Sequence, residues 1–174
     1  MRQKLTLALA VIATIVVADI ATKRWALEAL SHGSTVHWLG GMPFTLAYNT
    51  GIAFGLEVPT AARWVLIVAS VVVVIMLGGL FRQARPDDWP RVMSISLVTA
   101  GAIGNLVDRV RWGRGVVDFI GPIDLGFMHW PIFNVADMAI TVGAISLGLS
   151  LWREDAHAKR VAVLEAPEPE PERD

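Results

Sequence analysis

Four long apolar runs set the limits on what this chain can become. They cover residues about 5–25, 64–81, 92–110 and 135–152, and crossing a hydrocarbon layer of about 30 Å takes roughly 20 such residues in a helix. With 54% of its 174 residues hydrophobic and 18% charged, the chain carries more apolar surface than a soluble domain of this size encloses in one core. The excess has to face lipid, where every backbone group must be satisfied within the structure itself. The expected fold class is an all-α membrane bundle of four transmembrane helices with a small extracytoplasmic β-rich subdomain built from the connections between them.

The second run, with the core VLIVASVVVVIMLGGL, is uncharged and needs no amphipathic stripe, because a helix bathed in lipid can be apolar all round. The first begins with Arg2 and Lys4 ahead of LTLALAVIATIVVA, a pattern that also suits a secretory signal peptide. No small-x-small cleavage site closes that run before Asp19, and three further spans follow, so a retained first helix is expected. Arg2, Lys4, Arg82, Arg85, Arg91, Arg153, Lys159 and Arg160 fall on one side of such a bundle, against Arg63, Arg111 and Arg114 on the other. That bias places both termini in the cytoplasm.

Composition removes several kinds of chemistry. The chain has no cysteine, which excludes disulfides, thiolate nucleophiles and cysteine metal sites. His32, His37, His129 and His157 lack ligand spacing, and neither a His-Glu-x-x-His nor a Gly-x-Ser-x-Gly pattern occurs. No metal and no cofactor is expected, and a net charge of -1 gives no reason to expect a nucleic-acid partner.

The connection RQARPDDWP between the second and third runs is a short turn whose prolines stop a helix. The two connections on the outer side, about 30–60 and 111–134, are long and rich in aromatic, Gly and Pro residues, and loops of that length in a compact protein usually carry function. Within the first, TVHWL and PFTLAYN alternate on either side of GGMP, which suggests a short β-hairpin. Trp25, Trp38, Trp64, Trp112, Trp130 and Trp152 sit near span ends or in these loops, as interfacial anchors do. The organisation expected is one membrane domain over residues 1–153. A disordered cytoplasmic tail over 154–174 ends in the acidic, Pro-rich EAPEPEPERD.

Charges at membrane depth cost about 2.5 to 3.5 kcal/mol on the insertion scale, so such residues pair or line a polar cavity. Asp19 precedes Lys23 by four positions in the first run, the favourable order for an ion pair on one helix face; a helix-end salt bridge and a role in binding substrate are both open. Gly101, Asn105 and Arg109 recur every four residues on the third helix and share one face. Gly101 suits close helix packing or a functional approach equally, whereas an amide and a guanidinium facing lipid would be left unsatisfied. Asp108 falls on a different side of that helix, where it is expected only to solvate the interface.

The segment FNVADMA opens the fourth helix. Asn134 suits an N-cap, and Asp137 stands three residues on, where a carboxylate meets the positive end of the helix dipole. Asp118, in GVVDFIG, is flanked by apolar residues and is not placed as a solvated loop carboxylate. Two aspartates brought together at the membrane surface would share a proton, which is what hydrolysis of a peptide by water requires. Asp137, favoured as an anion by the helix N-terminus, is expected to be the more acidic member and Asp118 the holder of the proton, although the titrations belong to the pair.

These residues fall in blocks that resemble the lipoprotein signal peptidases, or signal peptidase II. The blocks are DIATK, YNTGIAFG, GAIGNLVDR, GVVDF and HWPIFNVADMAI, in the family's order. The resemblance implies that Asp118 and Asp137 are catalytic. It also implies that Asp19, Lys23, Asn49, Gly101, Asn105, Arg109 and Asn134 bind substrate or support the pair. It further implies an inner-membrane aspartic endopeptidase with its site near the outer face. Such an enzyme cleaves lipidated prolipoproteins before a diacylglyceryl-modified cysteine, needs no metal and is inhibited by globomycin. Ile52 and Met138 stand where Ala and Ser are common in the family, and GPIDLGFM is a loop of this chain's own. From another class, a small proton-coupled transporter would also use membrane-embedded acids. It would not need two long structured loops, and no internal repeat is present.

Overall fold

The computed structural model describes residues 2–30, 35–38, 41–51 and 63–164. Its elements are α1 (Arg2–Ala29), β1 (Thr35–Trp38), β2 (Met42–Asn49), α2 (Arg63–Gln83), α3 (Trp89–Arg111), β3 (Val116–Ile120), β4 (Ile123–Asp124), β5 (His129–Trp130) and α4 (Val135–Leu164). All four helices are long and apolar enough to cross a membrane.

Each helix coincides with one apolar run, but α4 goes on to Leu164 rather than ending near Trp152. The helix formers in WREDAHAKR continue the helix after the hydrophobic stretch stops, so residues 154–164, expected as disordered tail, are helical; residues 165–174 lie outside the described residues. Asp88 caps α3, its carboxylate accepting the Arg91 N–H at 3.2 Å, with Pro90 in the first turn, where its missing donor costs nothing.

α3 packs against α1, α2 and α4. Small residues let α4 come close. A Cβ on Gly101 would collide with the Ala136 carbonyl, and one on Gly143 would meet Val98 at 2.8 Å. By contrast α2 buries only Leu77 and exposes Val68, Ile75 and Met76, as a peripheral helix facing lipid does. Its end is held by Lys4, whose ammonium donates to the carbonyls of Phe81 and Ala84 and lies over the Phe81 ring. This satisfies orphan carbonyls and complements the helix dipole.

The β-hairpin expected around GGMP is present, with Val36 opposite Phe44 and Thr35 opposite Thr45. The sequence did not disclose its second partner. β2 also pairs antiparallel with β3 from the other long connection, matching Ala47 to Asp118 and Asn49 to Val116, so a three-stranded sheet in the order β1-β2-β3 joins the two loops. Gly115, at φ +96°, leads into β3 where a Cβ would strike the Asn49 carbonyl; only glycine fits there. The sheet sits on one end of the bundle over Ala26, Leu30, Leu46, Val117 and Phe119. Trp25 packs edge-on against Phe44 at 5.8 Å and Phe119 at 6.1 Å. Trp25 and Trp112 therefore belong to the core beneath the sheet rather than to an outer belt, while Trp64 and Trp152 are exposed. A second small sheet, β4-β5, forms a hairpin between β3 and α4.

Candidate active site

Asp118 leaves the middle of β3 and Asp137 the first turn of α4, and one residue binds both. The Asn134 side-chain amide donates to Asp118 Oδ1 at 2.6 Å, and its backbone N–H donates to Asp137 Oδ2 at 3.2 Å. In return Asn134 Oδ1 accepts the Asp137 N–H at 2.9 Å. This is the reciprocal bonding of a capping box, made with Asn and Asp. A pair of helix-starting residues thus doubles as the clamp between two carboxyls.

The amide of Asn105 supports the other side. Its Nδ2 donates to Asp137 Oδ1 at 2.7 Å, and its Oδ1 accepts from Asn134 at 3.1 Å and from Lys23 at 3.1 Å. The hydrogen-bond pattern fixes which way both amides point. Lys23 donates to Asn105 at 3.1 Å and forms ion pairs with Asp19 at 2.8 Å and Asp108 at 2.9 Å. Asp19 and Asn134 are fully buried and Lys23 nearly so; an ammonium is tolerated there because two carboxylates and an amide oxygen surround it. The remaining Asp19 oxygen accepts the Ala136 N–H at 2.9 Å, one of the unpaired donors of the α4 N-terminus.

Asp108 corrects the sequence reading. It is buried, ion-paired with Lys23, and accepts the Val117 N–H at 3.2 Å, which fixes β3 one residue ahead of Asp118. Asn105 and Asp108, three residues apart, meet the same Lys23 ammonium, so Asp108 does not stand on a separate side of α3 as the sequence suggested. Gly104 was also missed: a Cβ there would lie 2.6 Å from Asp19 Oδ2, so its absence lets α1 and α4 reach the same point. The GAIG spacing in the sequence was the available signal. Arg63 at the start of α2 was read only as a topology charge; it donates to the carbonyls of Arg109 at 2.7 Å and Val110 at 3.0 Å.

Of the other expected residues, Gly101 supports the α3–α4 contact. Asn49 hydrogen-bonds toward Asp118 and closes its own turn by accepting the Gly51 N–H at 3.0 Å. Arg109 lies in the field of Asp137, Asp118 and Asp108 but forms no ion pair among the described residues; its Nη1 reaches the Asn105 carbonyl at 3.5 Å. His129 lies in β5, exposed, 4.0 Å from Asp124, away from this network.

Burial, and after it the charge of Asp137, push the Asp118 carboxyl up to about 7, while Asn49, Asn134 and Lys23 pull the other way. The arrangement is therefore two adjacent carboxyls, one disposed to keep a proton near neutral pH and the other receiving two N–H donors.

The chain matches the family described as signal peptidase (SPase) II over residues 11–153. A lipoprotein signal peptidase of Hydrogenovibrio crunogenus is 40% identical over 150 residues, covering 84% of this chain and 86% of the relative. One of Syntrophotalea carbinolica is 43% identical over 150 residues, covering 84% and 91%. Among solved structures, a bacterial membrane enzyme determined by the in meso method at 2.3 Å resolution superposes with a TM-score of 0.79 at 25% identity, covering 97% of this chain and 95% of the other. A second, at 1.9 Å resolution, gives 0.74 at 28% identity, covering 84% and 92%. With four apolar helices and these neighbours, the protein is a multi-pass membrane protein, and on its sequence match it belongs to the signal peptidase II family.

Proposed function

We propose that this protein is an intramembrane aspartic endopeptidase that removes signal peptides from lipid-modified prolipoproteins, with Asp118 and Asp137 as its catalytic pair. The observation that carries the assignment is the pair of hydrogen bonds from Asn134, through its side chain to Asp118 and its backbone to Asp137. Asp108, the other acidic candidate nearby, is engaged by Lys23 and the Val117 N–H and serves to hold β3.

In the reaction, Asp137 takes a proton from a water molecule whose oxygen attacks the scissile carbonyl carbon. Asp118 gives its proton to the carbonyl oxygen. As the C–N bond breaks, the proton held by Asp137 passes to the leaving nitrogen and one hydroxyl of the diol returns its proton to Asp118, which restores both carboxyls. Asn105 keeps Asp137 oriented through its bond to Oδ1. Arg109 binds a substrate carbonyl beside the pair, and Asn49 at the end of β2 holds the peptide extended.

The enzyme lies in the bacterial inner membrane with both termini cytoplasmic and the three-stranded sheet at the outer face. The lipidated precursor reaches the site sideways through the bilayer, while water reaches it from the interface. Residues 1–153 form the working domain. Membrane lipid and globomycin-type inhibitors belong to its partners on this reading, and a transporter role has no place in it.

A gel-shift assay on purified protein in lipid tests the proposal. A lipidated precursor is expected to lose its signal peptide while the same precursor without the diacylglyceryl group is left intact. Cleavage of neither would refute the substrate class.

A further inference from the structure

Between the strand that carries Asp118 and the helix that carries Asp137 stands a small, well-built hairpin with an apolar tip. Ile123 pairs with Trp130 and Asp124 with His129, the Leu125 N–H donates to the Met128 carbonyl at 2.9 Å, and the Asp124 carboxylate accepts the Gly126 N–H at 2.8 Å. Its root is fixed by the backbone bonds between Ile120 and Phe133. Yet Phe127 at its tip is 83% exposed, with Leu125, Met128 and Trp130 each at 40% or more. No large apolar side chain among the described residues is more exposed than Phe127. Apart from Met42, every other exposed large apolar side chain among the described residues lies on one of the four helices long and apolar enough to span a membrane.

We propose that the tip of this hairpin, residues 125–128, seats in the outer leaflet of the bilayer. One side of its root, Phe133, lies two residues ahead of α4, which starts at Val135, so that arm leaves the chain at the level of the headgroups, and Ile120 at the end of β3 is tied to it. An arm of three residues reaches about 10 Å, while each interfacial layer is about 5 to 8 Å thick, so the tip is long enough to pass through that layer. The side chains are ordered as such a passage needs: the polar Asp124 and His129 stand at the base with the indole of Trp130, and Leu, Phe and Met lie at the end without a Lys or Arg among them. Seated this way, the hairpin fixes the height of the aspartates relative to the lipid that anchors the precursor. That consequence rests on the function proposed above, while the lipid contact itself does not.

The absence of cysteine makes the test direct. A single Phe127→Cys variant, and separately Leu125→Cys, is labelled with a nitroxide and placed in bilayer nanodiscs, with Val72→Cys on the lipid-facing α2 and Asp87→Cys in the α2–α3 turn as references. Collision rates with oxygen and with a water-soluble nickel chelate are read from the spin resonance signal. Labels at 127 and 125 are expected to favour oxygen, as at 72. Preference for the chelate, as at 87, overturns the proposal. If that water-exposed label becomes immobilised only when a lipidated precursor is added, the surface belongs to the substrate's peptide instead. Lipid-seated labels in a protein that cleaves nothing would leave this inference standing and remove the function proposed above.

Discussion

The Asp19 carboxylate accepts the N–H of Ala136 at 2.9 Å, so the first helix of the chain closes the N-terminus of the last. The same carboxylate binds Lys23, which in turn holds Asn105 and Asp108. The first turn of α4, which carries Asp137, is thus braced by a buried charge network centred on α1.

Breaking that network leaves a charge stranded. Asp19→Ala is expected to destabilise the protein by about 3 to 5 kcal/mol, seen as a lowered apparent Tm in detergent. Asp19→Asn, which keeps an acceptor for the Ala136 N–H, should lose less. Equal losses in the two variants would show that the ion pair rather than the helix contact carries the effect.

Asp118 makes stability depend on pH in a defined direction. Its carboxyl holds a proton to about 7 in the fold and to about 3.8 when free, so the folded state binds the extra proton between those values and loses stability as pH rises through them. Asp118→Asn removes that dependence. It is expected to be the more stable protein above pH 7, by up to about 4 kcal/mol, and indistinguishable in pH slope below pH 4. Unfolding curves of both proteins across pH 4 to 9 measure this, and a parallel pair of curves contradicts it.

The same titration bears on turnover. With Asp118 acting as the acid, the rate of precursor cleavage is expected to fall as pH rises through about 7. A pH–rate profile flat to pH 9 would take the proton away from Asp118.

Helix approach gives a fourth expectation. Gly104→Ala places a methyl 2.6 Å from Asp19 Oδ2, and Gly101→Ala drives one into the Ala136 carbonyl, whereas Gly78 and Gly148 have open space around them. The first two substitutions should cost about 1 to 3 kcal/mol and lower cleavage with it. Alanine at 78 or 148 should leave cleavage unchanged and stability unchanged or raised by up to about 1 kcal/mol, and a loss there as large as at 101 would count against the packing account.

The sequence made most of the fold and the pair legible, and the residues that escaped share a cause. The four spans follow from apolar length, the β1–β2 hairpin from alternation across GGMP, and the Asn134–Asp137 cap from spacing alone, because all are local. Asp108 and Gly104 take their roles from α1, and the pairing of β2 with β3 joins loops from opposite halves of the chain. No periodicity within one helix reports what another helix brings to it. The end of α4 escaped for a different reason: hydropathy marks where lipid stops, while helix propensity decides where the helix does.

The most direct measurement is cleavage of a lipidated precursor by Asp118→Asn and Asp137→Asn, each compared with the unaltered protein and with Asn134→Ala, with folding checked by helical circular dichroism. Both aspartate variants are expected to fold and to lose activity by about a thousandfold or more, and Asn134→Ala to lose about a hundredfold with some loss of stability. Turnover retained by either folded aspartate variant would contradict the account.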